Sequence, residues 1–220
     1  LSISSSMALK FVTAADIKPG SNFKAILEDI DKSTRFNVII DDFSKMDAFD
    51  KLEGKFDEIY MLAAVVGVNR TLKYPHDVIK TNTMLTMNTI DWVSNNPVKR
   101  ILFSSSSENY AGTSDLFGTD IPTDEGVALT ISDIKHPRWT YAITKMHGES
   151  AFLHSAKENR FECTIVRYQN IIGPEMGFGH AIPHIVERLV KQEDLPIKIY
   201  GHDQTRAFCY IEDAVHGTVA

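Results

Sequence analysis

The chain has 220 residues, 43% hydrophobic and 24% charged, with a net charge of −6. So apolar a chain can bury a core large enough to offset its ordering entropy, which excludes disorder. The acidic balance argues against the clustered basic surface that nucleic acid or an anionic membrane needs, so any anionic ligand must be held by a local pocket. Two cysteines, Cys163 and Cys209, supply neither a disulfide framework nor a thiolate metal cluster, and they point to a reducing, cytoplasmic compartment. The longest apolar run, Met61 to Val68, is too short to cross a bilayer. The N-terminus has no basic signal region and begins with Leu1, which reads as a segment of a longer protein.

Along the chain, short β-branched or apolar runs alternate with longer helical patterns. Strands are expected at Lys10–Ala15, Asn37–Ile40, Glu58–Ala63, Arg100–Ser104, Glu162–Arg167 and Ile197–Tyr200. Helices are expected near Asn22–Lys32, Ala48–Leu52, Pro75–Ser94, Tyr141–Lys157 and His180–Lys191, with a further helix starting close to Ala220. Most strand candidates are continuous apolar runs, such as Val38-Ile39-Ile40, as expected for a parallel sheet covered by helices on both faces. Strand–helix–strand repetition predicts a doubly wound α/β sheet. After Asn170 the pattern loosens around Gly173-Pro174, Gly177, Gly179, Pro183 and Pro196, which reads as loop and lid material.

Ligands of such sheets bind beyond the carboxyl ends of the strands, so those residues are the ones to interrogate. Tyr141 and Lys145 stand at i and i+4 on one helix face. A cation beside a tyrosine favours the phenolate and lowers its pKa, which suits a proton acceptor. Taken alone, the pair reads better as an exposed helical Tyr–Lys couple. Ser104 to Ser107, followed by Glu108, Asn109 and Tyr110, close the fourth strand, where serine hydroxyls can donate to a substrate oxygen or simply form a polar turn. Leu62, Ala63 and Ala64 end the third strand with a small-residue floor for a flat ligand, and Asp16 and Asp42 end the first two strands. An acidic group at such a position commonly holds ribose hydroxyls. His180 and His184 have metal-like spacing, but Pro183 lies between them and no third ligand is evident, so no metal is assigned. Trp92 and Trp139 read as packing anchors.

The order of these motifs carries a resemblance. Leu62-Ala63-Ala64, Asn82, Ser104-Ser105-Ser106-Ser107-Glu108-Asn109-Tyr110, Tyr141-x-x-x-Lys145, Arg167-Tyr-Gln-Asn170-Ile-Ile-Gly173-Pro174 and Thr205-Arg206-Ala-Phe-Cys-Tyr210-Ile-Glu-Asp213 fall in a fixed series. The chain resembles the extended short-chain dehydrogenase/reductase family, specifically its NAD-dependent nucleotide-sugar epimerases, dehydratases and decarboxylases, from Lys10 to Ala220. The resemblance implies a Rossmann-like domain over residues 1–169, lacking its first strand and glycine-rich loop, and part of a substrate-binding region over 170–220. It implies that Tyr141 takes the proton of a sugar hydroxyl while hydride passes to NAD, and that Lys145 holds the nicotinamide ribose. Ser106 would bind the same sugar oxygen, with Ser107, Asn170 and Arg206 on the substrate and Arg206 on its diphosphate. Asp16, Asp42, Leu62, Ala63, Ala64, Asn82 and Ser104 would line the NAD site, and Asp16 favours NAD over its 2′-phosphorylated form. It also implies a homodimer built from the two long helices, whose residues Met84, Met87, Ile90, Ile143, Met146, Phe152 and Leu153 show apolar character on more than one face.

Two departures stand out. No Gly-x-x-Gly-x-x-Gly occurs, and Asn109-Tyr110-Ala111 replaces the family's Val-Tyr-Gly. For reaction type, Ser107-Glu108 differs from the Asp-Glu of family dehydratases and matches the Ser-Glu of uronic-acid decarboxylases, which some epimerases share. A 4-epimerase therefore ranks first, a decarboxylase second and a dehydratase third. Glu108 is a catalytic candidate for the decarboxylase in particular, although it also reads as a turn cap. A dinucleotide-binding protein without turnover is disfavoured because Tyr141 and Lys145 are both present, and a reductase of free small carbonyls is disfavoured by Arg206 and the Asn170–Pro174 segment.

Overall fold

The computed structural model describes residues 11–17, 35–174, 176, 180–191, 196, 198, 199 and 205–220. The expected helix Asn22–Lys32 and the ends of the expected strand Ile197–Tyr200 lie outside them, and the described Lys198 and Ile199 are not in a strand. The elements run β1 (Phe11–Asp16), β2 (Arg35–Ile40), a 3₁₀ turn (Met46–Lys51), β3 (Glu58–Met61), α1 (Val68–Lys73), α2 (Pro75–Asn95), β4 (Arg100–Ser106) and a second 3₁₀ turn (Ser107–Tyr110). They continue through α3 (Ala111–Phe117), α4 (Trp139–Asn159), β5 (Glu162–Tyr168), β6 (Asn170–Ile172), α5 (Ala181–Lys191), β7 (Phe208–Tyr210) and α6 (Ile211–Val219).

Every ladder among the described residues is parallel, as the continuous apolar strands require. Among the described residues the strands form three sheets, β1–β2, β3–β4–β5 and β6–β7, rather than one continuous sheet. This is a Rossmann-like α/β fold. The stretch after Asn170, read as loop and lid material, contains β6 and β7, because Asn170–Ile172 finds a parallel partner in Phe208–Tyr210, and the helix expected close to Ala220 is α6. β3 stops at Met61 instead of Ala63, and β4 runs two residues further than expected, since Ser105 and Ser106 pair with Arg167 and Tyr168.

The core gathers Phe49, Met61, Leu85, Trp92, Val93, Val98, Ile101, Phe103, Phe152 and Phe161. α2 starts on Pro75, whose fixed φ suits a first helical turn, and buries Val78, Asn82, Leu85, Thr89 and Trp92 at helical spacing. α4 buries Ala142, Lys145, Gly148, Glu149, Phe152 and Ser155. Gly148 is there because α4 lies hard against β4: a Cβ at this position would sit 2.3 Å from Cζ of the buried Phe103 ring. Of the residues expected to leave a second face uncovered, Phe152 is wholly buried, its ring tilted against that of Phe103 at 5.0 Å, whereas Met84, Met87 and Leu153 are exposed. Trp92 and Trp139 are both buried, as packing anchors should be.

Candidate active site

The parallel register of β3–β4–β5 puts the residues after Met61, Ser106 and Tyr168 on one edge, and α4 passes over it. Three α4 side chains one turn apart each reach one of three successive serines at the end of β4. The Tyr141 phenol faces the Ser106 hydroxyl, close enough for the serine to pull its pKa downward. Lys145 Nζ donates to the Ser104 carbonyl at 2.5 Å, 5.0 Å above the Phe103 ring and 5.7 Å from the Tyr141 ring centroid. Ser105 Oγ donates to Glu149 at 2.5 Å. Ser106 also caps the following 3₁₀ turn, its Oγ accepting from the Glu108 N–H at 3.2 Å, which leaves its own proton to donate elsewhere.

Electrostatics follow from burial. Lys145 is 3% exposed, and removal from water pushes its ammonium down from 10.5 to about 8. The Tyr141 phenol is raised above its ordinary value, chiefly by burial and further by the Glu108 charge, with the Ser106 hydroxyl acting in the lowering direction. This reverses the direction expected from the Tyr–Lys spacing. The physical reason is that the same burial that brings Lys145 close also strips water from the phenolate.

Beside this pair lies a buried polar network that the sequence reading did not assign. Glu149 accepts from Arg167 Nε at 2.8 Å and Nη2 at 2.7 Å, a two-point fork, and from Asn109 Nδ2 at 2.8 Å. Burial pushes the Glu149 carboxyl up, but hydrogen bonds from Arg167 and Ser105 and the guanidinium charge outweigh it, so the net shift is downward. Arg167, raised mainly by Glu149, also donates to the Tyr110 hydroxyl at 2.8 Å and the Glu125 carbonyl at 2.9 Å. The signal available in the sequence was a carboxylate four residues beyond Lys145, on the face of Tyr141.

The other expected site residues divide. Leu62 and Ala63 are exposed after β3 and Ala64 is half-buried. Asn82 is buried and engaged: it accepts from the Val65 N–H at 2.7 Å and donates to the Val65 carbonyl and Thr144 Oγ1 at 3.2 Å, and Thr144 in turn donates to the Tyr141 carbonyl at 2.8 Å. It thus ties the loop after β3 to α4 through its side chain. Asp16 is exposed at the end of β1. Asp42 is engaged in its own turn, accepting from the Ser44 N–H at 3.1 Å and hydroxyl at 2.6 Å. Ser107 is half-buried in the 3₁₀ turn; Glu108 is exposed, 3.7 Å from Arg138 at the head of α4. Asn170 donates to the Ala207 carbonyl at 2.9 Å, binding β6 to the segment that carries the exposed Arg206. Among the described residues, no group of three His, Cys, Asp or Glu is placed to hold a metal, and no helix is long and apolar enough to cross a membrane.

Residues 10–220 match the model of the NAD dependent epimerase/dehydratase family. The chain is 34% identical over 174 residues to a UDP-N-acetyl-alpha-D-glucosaminuronate decarboxylase of Bacillus cytotoxicus, covering 77% of this chain and 51% of that protein. It is 27% identical over 221 residues to a UDP-glucuronate 4-epimerase of Thermodesulfobacterium geofontis, covering 97% and 59%. It shares its fold with a solved UDP-N-acetylglucosamine 4-epimerase from Methanobrevibacter ruminantium M1, at TM-score 0.73 and 22% identity over 94% of this chain and 63% of that one. The chain spans about half the length of the curated relatives it matches.

Proposed function

Because the chain belongs to the NAD-dependent epimerase/dehydratase family, we propose that it oxidises a nucleotide-diphosphate-linked sugar at C4 and, as a 4-epimerase, returns the hydride to the opposite face of the 4-keto sugar. The observation that carries this reading is the meeting of the Tyr141 phenol and the Ser106 hydroxyl at the end of β4, with the buried Lys145 ammonium 5.7 Å from the Tyr141 ring. Tyr141 takes the C4 hydroxyl proton as the hydride departs and gives it back on reduction, while Ser106 donates to the same oxygen. Ser107, Asn170 and Arg206 contact the sugar nucleotide, Arg206 through its diphosphate.

NAD fits the residues present. Among the described contacts Lys145 spends one of its three donors, on Ser104, and a buried ammonium with donors to spare suits a ribose diol. Leu62, Ala63 and Ala64 offer a largely open, small-residue floor after β3, and Asp16 suits the adenosine ribose. When bound, NAD supplies the hydride acceptor and donor. Asp42 holds the Ser44 turn through Oδ1 and is assigned to the adenosine half of NAD through its other oxygen. We extend the reading to a homodimer in which a second copy covers Met84, Met87 and Leu153.

A second reading, decarboxylation, is favoured by the 34% identical relative and by Ser107-Glu108. In a hexuronic acid, oxidation at C4 leaves the C6 carboxylate β to a ketone. The C5–C6 bond can then break with its electrons entering the carbonyl and carbon dioxide leaving. The experiment incubates the protein and NAD with UDP-linked hexoses and hexuronic acids and follows C4 configuration by NMR and carbon dioxide by trapping. Inversion at C4 is expected; carbon dioxide release from the uronate selects the second reading. Tyr141→Phe should abolish either while leaving NAD bound, and full activity in that variant refutes both.

A further inference from the structure

We propose that Glu149 is a positioning residue, which locks the register of α4 against the end of β4 and thereby holds Ser106 on Tyr141. The inference rests on the reading of Tyr141 and Ser106 as the reacting pair. It begins from the three parallel ties between helix and strand: Tyr141 to Ser106, Lys145 to the Ser104 carbonyl, and Glu149 to Ser105. In the proposed reaction the phenol turns to a sugar hydroxyl, and the ammonium adds a ribose to its bond with the Ser104 carbonyl. Both groups serve the reacting partners, so neither is a dedicated lock on the register of helix and strand. The third tie takes no part in the chemistry and is the most heavily built.

Its construction supports that role. Ser105 is 2% exposed, Asn109 0% and Glu149 6%, so each bond of the cluster is shielded from water. Asn109 Nδ2 donates both to Glu149 and to Ser105 Oγ, at 2.8 and 3.1 Å, which pins the 3₁₀ turn that carries Glu108 to the same carboxylate. The Arg167 fork anchors Glu149 to β5, the neighbouring strand, in register with Ser105. From there Arg167 reaches the Tyr110 hydroxyl and the Glu125 carbonyl, joining the far end of the turn and the loop beyond it. One carboxylate thus joins helix, strand, turn and neighbouring strand around the serine that must meet Tyr141. The family's valine, which has no donor, would leave Glu149 without its third anchor; Asn109 is what ties the turn in this chain. Reactions held in a near-attack geometry lose about 100-fold for misplacement of about 1 Å, so a register device has kinetic leverage without touching substrate.

The test compares Glu149→Gln, Ser105→Ala and the exposed control Glu158→Gln with the unaltered protein. Two readouts are taken well below each unfolding midpoint: steady-state kinetics with the sugar nucleotide, and the carbon-13 resonance of the Tyr141 phenolic carbon at neutral pH, assigned with Tyr141→Phe. We expect both site variants to lower kcat about tenfold or more, with KM and NAD affinity changing less than about threefold. The Tyr141 resonance should move in both, because the Ser106 hydroxyl shifts against the phenol, and should stay in place in the control. A lowered unfolding midpoint with kcat and the Tyr141 resonance unchanged overturns the proposal, leaving Glu149 a stability residue. A lowered kcat with an unmoved resonance overturns it too. If Glu149→Gln does not fold, Ser105→Ala, which removes only the strand's link to the carboxylate, decides. If the unaltered protein turns over no sugar nucleotide, the proposed function fails and the resonance alone decides the positioning role.

Discussion

Lys145 makes the site work against the stability of the fold, and that cost can be measured. Its ammonium lies buried in the folded chain at a pKa of about 8 against an ordinary 10.5. A lysine with a depressed folded pKa binds fewer protons folded than unfolded between those two values, so stability rises with pH across that window. Below pH 8 the full penalty is present, about 3 kcal/mol at 1.36 kcal/mol per unit. By about pH 9.5 the folded lysine is neutral, and about 2 kcal/mol of that penalty has been relieved. Lys145→Met keeps the stem and removes the charge, so it cancels this pH dependence. At neutral pH it also strands the Ser104 carbonyl, which offsets part of the gain. The informative quantity is therefore the change, with pH, of the stability difference between variant and parent. Urea denaturation at about pH 7 and about pH 9.5 should show the parent gaining about 2 kcal/mol relative to Lys145→Met. The same variant should lose NAD affinity and turnover. A stability difference that is equal at the two pH values refutes the reasoning, because it would mean that Lys145 is not buried as an unpaired cation.

Gly148→Ala should lower the thermal midpoint: the added Cβ meets the buried Phe103 ring at 2.3 Å, and overpacking of about 1–3 kcal/mol exceeds the helix-propensity gain of about 1 kcal/mol. A midpoint that rises on calorimetry would show that α4 can stand off from β4. Asn82→Ala releases the loop after β3 from its clamp at Val65, so amide exchange over residues 62–67 should quicken and NAD affinity fall, with α2 itself unaffected. Exchange unchanged in that loop would refute the clamp. Light scattering should return the mass of two chains at micromolar concentration, and Met84→Glu, placed on the exposed face of α2, should shift it toward one; a monomeric parent contradicts the homodimer.

Local pattern carried much of the outcome. Continuous apolar runs between helical stretches dictated parallel strands under helices, because a strand covered on both faces has no solvent side to make polar. The i,i+4 spacing placed Tyr141 and Lys145 on one face of α4, and the serine run marked the carboxyl end of β4, since both depend on backbone periodicity within a few residues. Tertiary structure decided what those side chains experience. The Tyr141 phenol is raised rather than lowered because burial outweighs its neighbours, and burial is a property of the packed molecule. Asn82 serves Val65, and Glu149 is held by Arg167 from β5, by contacts between residues far apart in the chain that no local period encodes. The short strand β6 is a strand only because Phe208–Tyr210 lies beside it, for three residues cannot satisfy their own extended backbone. Sequence alone put Tyr141 and Lys145 on one helix face and the serine run at the end of β4. Only the tertiary structure decided which of them are shielded from water, and so which are left to react and which to hold.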